Sequence, residues 1–158
     1  MMKNILLILL AIVSLSACAA KKATTKHPSV TYVKMDRTAC FGRCPVYSVE
    51  VYDNGLVRYN GKQFTEYSGI YEKNLGAAQA KAVLNDFAKY RVDTCKNLYE
   101  NRITDVPGIY FTITINGKQK EIANAHFGPH FFNKLATEVD SFAKVDASWK
   151  KVADTQNK

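Results

Sequence analysis

The N-terminal apolar run of this 158-residue chain, Ile5 to Val13, is too short to cross a bilayer. A spanning helix takes about 20 apolar residues. The chain also has no Gly-x-Ser-x-Gly elbow, no glycine-rich phosphate loop and no His-Glu-x-x-His helix. Those absences remove the recognisable serine-hydrolase, nucleotide-triphosphate and zinc-peptidase readings. Its carboxylates are scattered through charged stretches, as on solvated surfaces. Acidic residues are few, 14 against 22 basic ones, for a net charge of +8. Such a balance suits nucleic acid or an anionic membrane surface, and the N-terminus decides between them.

Lys3 followed by Ile5 to Val13 has the form of a signal peptide, a positive residue before a short apolar core. The next residues, Leu15-Ser16-Ala17-Cys18, resemble the bacterial lipobox, the Leu-small-small-Cys pattern of lipoprotein leaders. The resemblance implies lipid transfer to the Cys18 sulfur, cleavage before Cys18 and acylation of the new amine, with palmitate among the chains. Two or three acyl chains anchor stably where one does not. The expected organisation is a signal peptide over residues 1–17 and a lipid-anchored linker over 18–28. Ala19 and Ala20 follow the cysteine, with no Asp. By analogy with lipoprotein sorting in enteric bacteria, this points to the outer membrane. No acidic run follows Cys18, so the expected orientation faces the periplasm. The expected partners are the bilayer, through Cys18, and no nucleic acid. Lys21, Lys22 and Lys26 lie where they either meet anionic headgroups or belong to a soluble tether.

Residues 29–145 read as one domain and 146–158 as a basic tail. Val30 to Arg37 alternates loosely and reads as a strand. Tyr47, Val49 and Val51 alternate with Ser48, Glu50 and Tyr52, the pattern of a half-buried strand. Asp53-Asn54-Gly55 predicts a type I′ hairpin turn, with Leu56 to Asn60 returning. Gly61-Lys62 predicts another turn, and Phe64 to Tyr71 a further strand broken near Gly69. Asn74 is placed to cap a helix that runs to about Tyr90, with Ala80, Val83, Leu84, Phe87 and Tyr90 on one face. Arg91 to Gly108 is a long connection, and Pro107-Gly108 suits the centre of a type II turn. Ile109 to Ile115 is the clearest strand, Asn116-Gly117 a tight hairpin, and Gln119 to Asn124 its return. A second amphipathic helix uses Phe131, Phe132, Leu135, Val139 and Phe142. The expected fold is α+β: an antiparallel sheet of about five to six strands with two amphipathic helices on one face. The two Asn-Gly hairpins, each ahead of a helix, fit a diverged ββα duplication.

Arg37 and the stretch Cys40-Phe41-Gly42-Arg43-Cys44-Pro45-Val46-Tyr47 resemble a family of bacterial envelope domains of unknown function. That family is marked by an Arg, then Cys-Phe-Gly-x-Cys-Pro-x-Tyr, then a strand and a glycine-turn hairpin. It also carries a Thr-Asp-x-Pro element before a later strand. Thr104-Asp105-Val106-Pro107 stands in that place here. The resemblance covers roughly Val30 to Phe142, implies no activity and leaves His126 and His130 outside the pattern. The structural motif residues it implies are Arg37, Phe41, Gly42, Pro45, Tyr47, Asp105 and Pro107. Arg37 and Asp105 are candidates to pair across the fold.

Cys40, Cys44 and Cys95 remain after Cys18 is discounted. An oxidising envelope compartment permits disulfides. A Cys40–Cys44 bridge is worth about 2 kcal/mol by loop closure, and a bridge from either to Cys95, closing about fifty residues, roughly 4 kcal/mol. Loop entropy favours the long bridge, while proximity and the shared motif favour Cys40–Cys44, with Cys95 as the alternative partner. A metal-binding or thiol-redox alternative uses Cys40, Cys44, His126 and His130, since each pair has a spacing seen in zinc sites. Catalytic redox pairs prefer two intervening residues. The leading expectation is a non-catalytic binding or structural module in the envelope, with no cofactor, meeting a protein, peptidoglycan or small ligand near the membrane. An uncharacterised hydrolase is the remaining alternative.

Overall fold

The computed structural model describes residues 27–100, 103 and 105–155. Seven strands form one antiparallel sheet, with two helices. In chain order they are β1 (Val30–Arg37), β2 (Val46–Tyr52), β3 (Leu56–Gln63), β4 (Gly69–Asn74), α1 (Ala77–Lys89), β5 (Ile109–Ile115), β6 (Lys118–Ile122), α2 (Phe131–Asp140) and β7 (Lys150–Ala153). The sheet order is β6-β5-β1-β2-β3-β4-β7, so β1, the first strand, lies inside the sheet between β5 and β2.

Period-two alternation sorts the strands into two faces. Val33 and Met35 on β1 stand opposite Val51 and Val49 on β2, and opposite Ile113 and Phe111 on β5. All six are fully or almost fully buried. Ala80, Leu84 and Phe87 of α1 and Phe132, Leu135 and Val139 of α2 complete this core. Phe111 bridges the layers, edge-on to Phe87 at 5.3 Å and stacked on Phe132 at 6.0 Å. Each fully buried side chain of this size contributes roughly 1.5–3 kcal/mol.

The other face stays open. One cross-strand row runs through every strand: Glu121, Thr112, Lys34, Glu50, Arg58, Glu72 and Lys150. Opposite charges sit side by side along it, and Arg58 binds Glu72 at 2.6 Å. Tyr32 and Tyr52 pack at 4.9 Å and both donate to Glu50 Oε2. Burial, then the Glu50 bond, pushes the Tyr52 phenol up to about 12.

The α+β class agrees with the expectation, but the strand count is higher. The seventh strand comes from the segment read as a tail. Trp149 is buried beside it, β7 pairs with β4, and Thr155 donates to the Gly61 carbonyl at 2.6 Å. All four β7 residues are exposed, so burial left no pattern in them. Gly61-Lys62 is not a turn but lies within β3. The Tyr67 carbonyl passes so close to Gly61 that a Cβ would come within 1.9 Å of it. The chain reverses later, and β4 begins at Gly69.

The first hairpin is not type I′ either. Gly55 has φ 94° but Asn54 is not left-handed, and the Gly55 N–H bonds to the Tyr52 carbonyl. That is a three-residue loop ending in a left-handed glycine. At the second hairpin both Asn116 and Gly117 have positive φ, as type I′ requires. Helix α1 has Gly76 at its N-cap, and Asn74 instead accepts from the Gly76 N–H at 2.8 Å. Four strands precede α1 and two lie between α1 and α2, so the halves do not match element for element.

Candidate functional site

The motif residues meet at one end of the sheet. Arg37 ends β1 and stands directly opposite Tyr47 on β2. By alternation both belong to the covered face, on the side of Met35 and Val49. There they close on Asp140, the last residue of α2. Arg37 forms a two-pronged ion pair with the carboxylate, Nε to Oδ1 and Nη2 to Oδ2, and the Tyr47 hydroxyl donates to Oδ1 at 2.6 Å. Both charged side chains are about three-quarters buried, 22% and 27% exposed. Burial, reinforced by the bond to Asp140, raises the Tyr47 phenol above its ordinary range. Charge-assisted bonds in such a setting are the strong ones.

Between Arg37 and Tyr47 the chain makes the knot. Cys40 and Cys44 stand at disulfide distance with Cα atoms 5.7 Å apart, well within the range a bridge requires. Pro45 sits just before β2, where its missing N–H disturbs no ladder bond. Phe41 at the tip is 91% exposed. The Arg43 guanidinium lies 5.5 Å from the centroid of the Phe64 ring. The Arg-x2-Cys-x3-Cys-Pro-x-Tyr spacing thus encodes a hairpin whose flanking cross-strand pair holds a helix end and whose loop is closed covalently.

The second motif element adjoins the first. Thr38 donates its N–H to the Gly108 carbonyl, and its hydroxyl accepts from the Gly108 N–H at 2.8 Å. Thr38 and Gly108 therefore join the knot to the Asp105–Pro107 loop, while the carboxylate that receives Arg37 belongs to Asp140. Gly108 does not adopt the left-handed conformation of a type II turn. It is needed for close approach, because a Cβ there would meet the Tyr110 ring at 2.6 Å and Thr38 Oγ1 at 2.7 Å. Thr104 and Cys18 lie outside the described residues.

A family model described as a domain of unknown function, DUF6438, matches residues 31–143. The chain belongs to the DUF6438 family. No curated protein and no solved structure matches it.

Within this DUF6438 domain the histidines serve separate places. His126 Nδ1 accepts from the Ile109 N–H at 3.2 Å, so the neutral ring carries its proton on Nε2. Burial, then the Arg37 charge, lowers the His126 pKa. His130 is exposed at the start of α2. Cys40 and Cys44 bond to each other instead of offering two thiolates. Among the described residues no three His, Cys, Asp or Glu side chains gather as a metal site. The four-residue metal set therefore does not assemble. Cys95 is a free thiol, raised in pKa by burial, in the turn after Val92–Thr94. A raised pKa keeps it protonated and weakly nucleophilic.

On the open face, at the same end, the domain carries a cleft of about 420 Å³. Asp36, Val46, Lys62, Tyr110, Thr112 and Glu121 are among its lining residues. Asp36 is held between Lys34 at 3.1 Å and Lys62 at 3.2 Å. Glu121 accepts from Gln119 at 3.1 Å.

Sequence reasoning missed Asp140 and the cleft. Asp140 is 103 residues from Arg37 and reads as one more polar helix position. The cleft draws on β1, β2, β3, β5 and β6, which only the sheet order brings together.

Proposed function

We propose that the chain is a lipid-anchored bacterial envelope protein whose DUF6438 domain is a non-catalytic binding module. In this reading Cys18 carries the acyl chains and the domain faces the periplasm. The disulfide-closed loop is the contact surface. The carrying observation is Phe41, 91% exposed on a loop closed by its own disulfide and fixed at its base by Arg37, Tyr47 and Asp140. A large apolar side chain held out from a rigid base loses little entropy on burial against a partner. Phe64, Val106 and Tyr110 add 45%, 39% and 37% exposed apolar surface on the neighbouring segments. The linker enters the domain at Val30, about 25 Å along β1 from the loop at strand spacing. That geometry favours presenting the loop away from the anchor. A pair closed as a disulfide offers no thiolate to a metal, which supports a structural clasp over the metal alternative.

Two measurements test the reading. A photo-crosslinking residue in place of Phe41 is expected to capture a discrete envelope partner in living cells. The same residue at Lys81, exposed on α1, serves as control. Equal labelling from both positions, or none from Phe41, removes the contact surface. Cys18→Ala is expected to abolish palmitate incorporation and release the protein from the membrane fraction. Unchanged membrane retention of that variant would falsify the anchor.

A further inference from the structure

We propose that the open-face cleft is a saccharide-binding site. This deepens the binding role above and rests on it, but it is independent of the lipid anchor. The cleft's roughly 420 Å³ lies in the range of small-ligand sites. Its lining combines the exposed ring of Tyr110, hydroxyls and carboxylates. The Tyr110 ring lies over Gly108, in the space a Cβ there would take, which holds it at the cleft wall while leaving it 37% exposed. Thr112 contributes a hydroxyl from the floor, and Asp36 and Glu121 contribute acceptor oxygens. A sugar ring presents an apolar C–H face and a rim of hydroxyls. The first needs a fixed aromatic face and the second needs fixed acceptors, and the cleft offers both.

Charge argues against the competing ligand classes. The chain is strongly basic as a whole, yet the cleft is not. Lys62 is its single lysine, and it is already bound to Asp36 at 3.2 Å. Arg37 lines the cleft too, but its guanidinium is engaged by Asp140. Glu121 has no ion pair among the described residues. A phosphate or nucleotide would meet the Glu121 carboxylate and lysines already shared with Asp36, with no net positive charge to draw it in. A wholly apolar ligand would strip water from Asp36, Glu121 and Lys62 with nothing to replace it. A neutral polyol avoids both costs. Asp36 is also held in place before a ligand arrives, since Lys34 and Lys62 flank it; such preorganisation favours affinity.

The test is calorimetric titration of the purified full chain with the β-1,4-linked tetramers of N-acetylglucosamine and of glucose. Saturable binding to at least one tetramer is expected. Tyr110→Ala is expected to weaken it about tenfold and Glu121→Gln about threefold, the latter corresponding to one hydrogen bond. Lys81→Ala is expected to leave it unchanged. Both test residues are exposed, and melting curves will show whether each variant is folded. Absence of binding to both tetramers overturns the proposal, as does equal affinity in wild type and both folded variants. Displacement of a bound tetramer by inorganic phosphate also overturns it. If saccharide binding fails while Phe41 still crosslinks a partner, only this inference falls. If both fail, the binding role falls with it.

Discussion

Asp36 and Arg37 are adjacent in the chain and have opposite fates. Alternation along β1 sends Asp36 to the open face and Arg37 to the covered one. Asp36, 24% exposed, finds Lys34 and Lys62 on neighbouring positions, and it is these lysines, 31% and 38% exposed, that keep the pairing in contact with water. Arg37 reaches across the core layer to Asp140 at the end of α2. The first pairing is local to the sheet, and salt and solvent screen it. The second joins the sheet to a helix and takes two charges largely out of water. An ion pair matters to this fold when losing one partner strands the other away from solvent.

The largest expected effect breaks the covered-face pair. Asp140→Ala strands Arg37 and leaves the Tyr47 hydroxyl without its acceptor. We expect a loss of about 2–3 kcal/mol, below the figure for a fully buried pair because both side chains retain some exposure. Urea denaturation measures it, and a loss under 0.5 kcal/mol would place Arg37 with the surface pairs. Next comes the knot. Replacing Cys40 and Cys44 together by Ser should cost about 2 kcal/mol by loop-closure entropy, with the chain still folded. The double cycle with Asp140→Ala then reports whether loop and clasp act as a unit.

A smaller, pH-dependent effect is expected at Glu138, also on α2. Burial, then the nearby Asp86 charge, raises its pKa, and Oε2 is buried without a partner. A carboxyl whose folded pKa is raised favours folding while protonated. That contribution is present in acid and is lost as pH rises through the folded value. Glu138→Gln should therefore stabilise the protein by about 0.5 kcal/mol at neutral pH and by nothing in acid. Thermal melts across that pH range read this out, and a gain that instead grew in acid would contradict the assignment. The smallest effect belongs to the open face. Lys62→Ala removes one of the two cations at Asp36 and should change stability by less than about 0.5 kcal/mol. A larger loss would erase the distinction between the faces.

The legible part of the fold was the part written by burial. Val49 and Val51, Ile109 to Ile115, and the apolar faces of both helices repeat at strand or helix period because one side of each element meets the core. The turn at Asn116-Gly117 was legible because its left-handed residues are chemically marked. Gly61 misled because glycine serves close approach within a strand as readily as a turn. Strand β7 was illegible because an exposed edge strand has no buried side to record. At the site, the motif marked Arg37 and Tyr47 but said nothing of what they hold.

By itself the sequence determined an α+β domain, the positions of both helices and of its most regular strands, and a two-cysteine motif between two of them. Those follow from periodicity and local chemistry, which act over a few residues. Only the tertiary structure decided that Asp140 receives Arg37 and Tyr47, that the cysteine pair excludes Cys95, and that one end of the sheet carries a cleft. The cleft depends on strand order, and the Asp140 contact on the packing of α2 against the sheet, which brings together side chains 103 residues apart; the cysteine pairing depends on the native geometry of the loop, which loop entropy alone does not give.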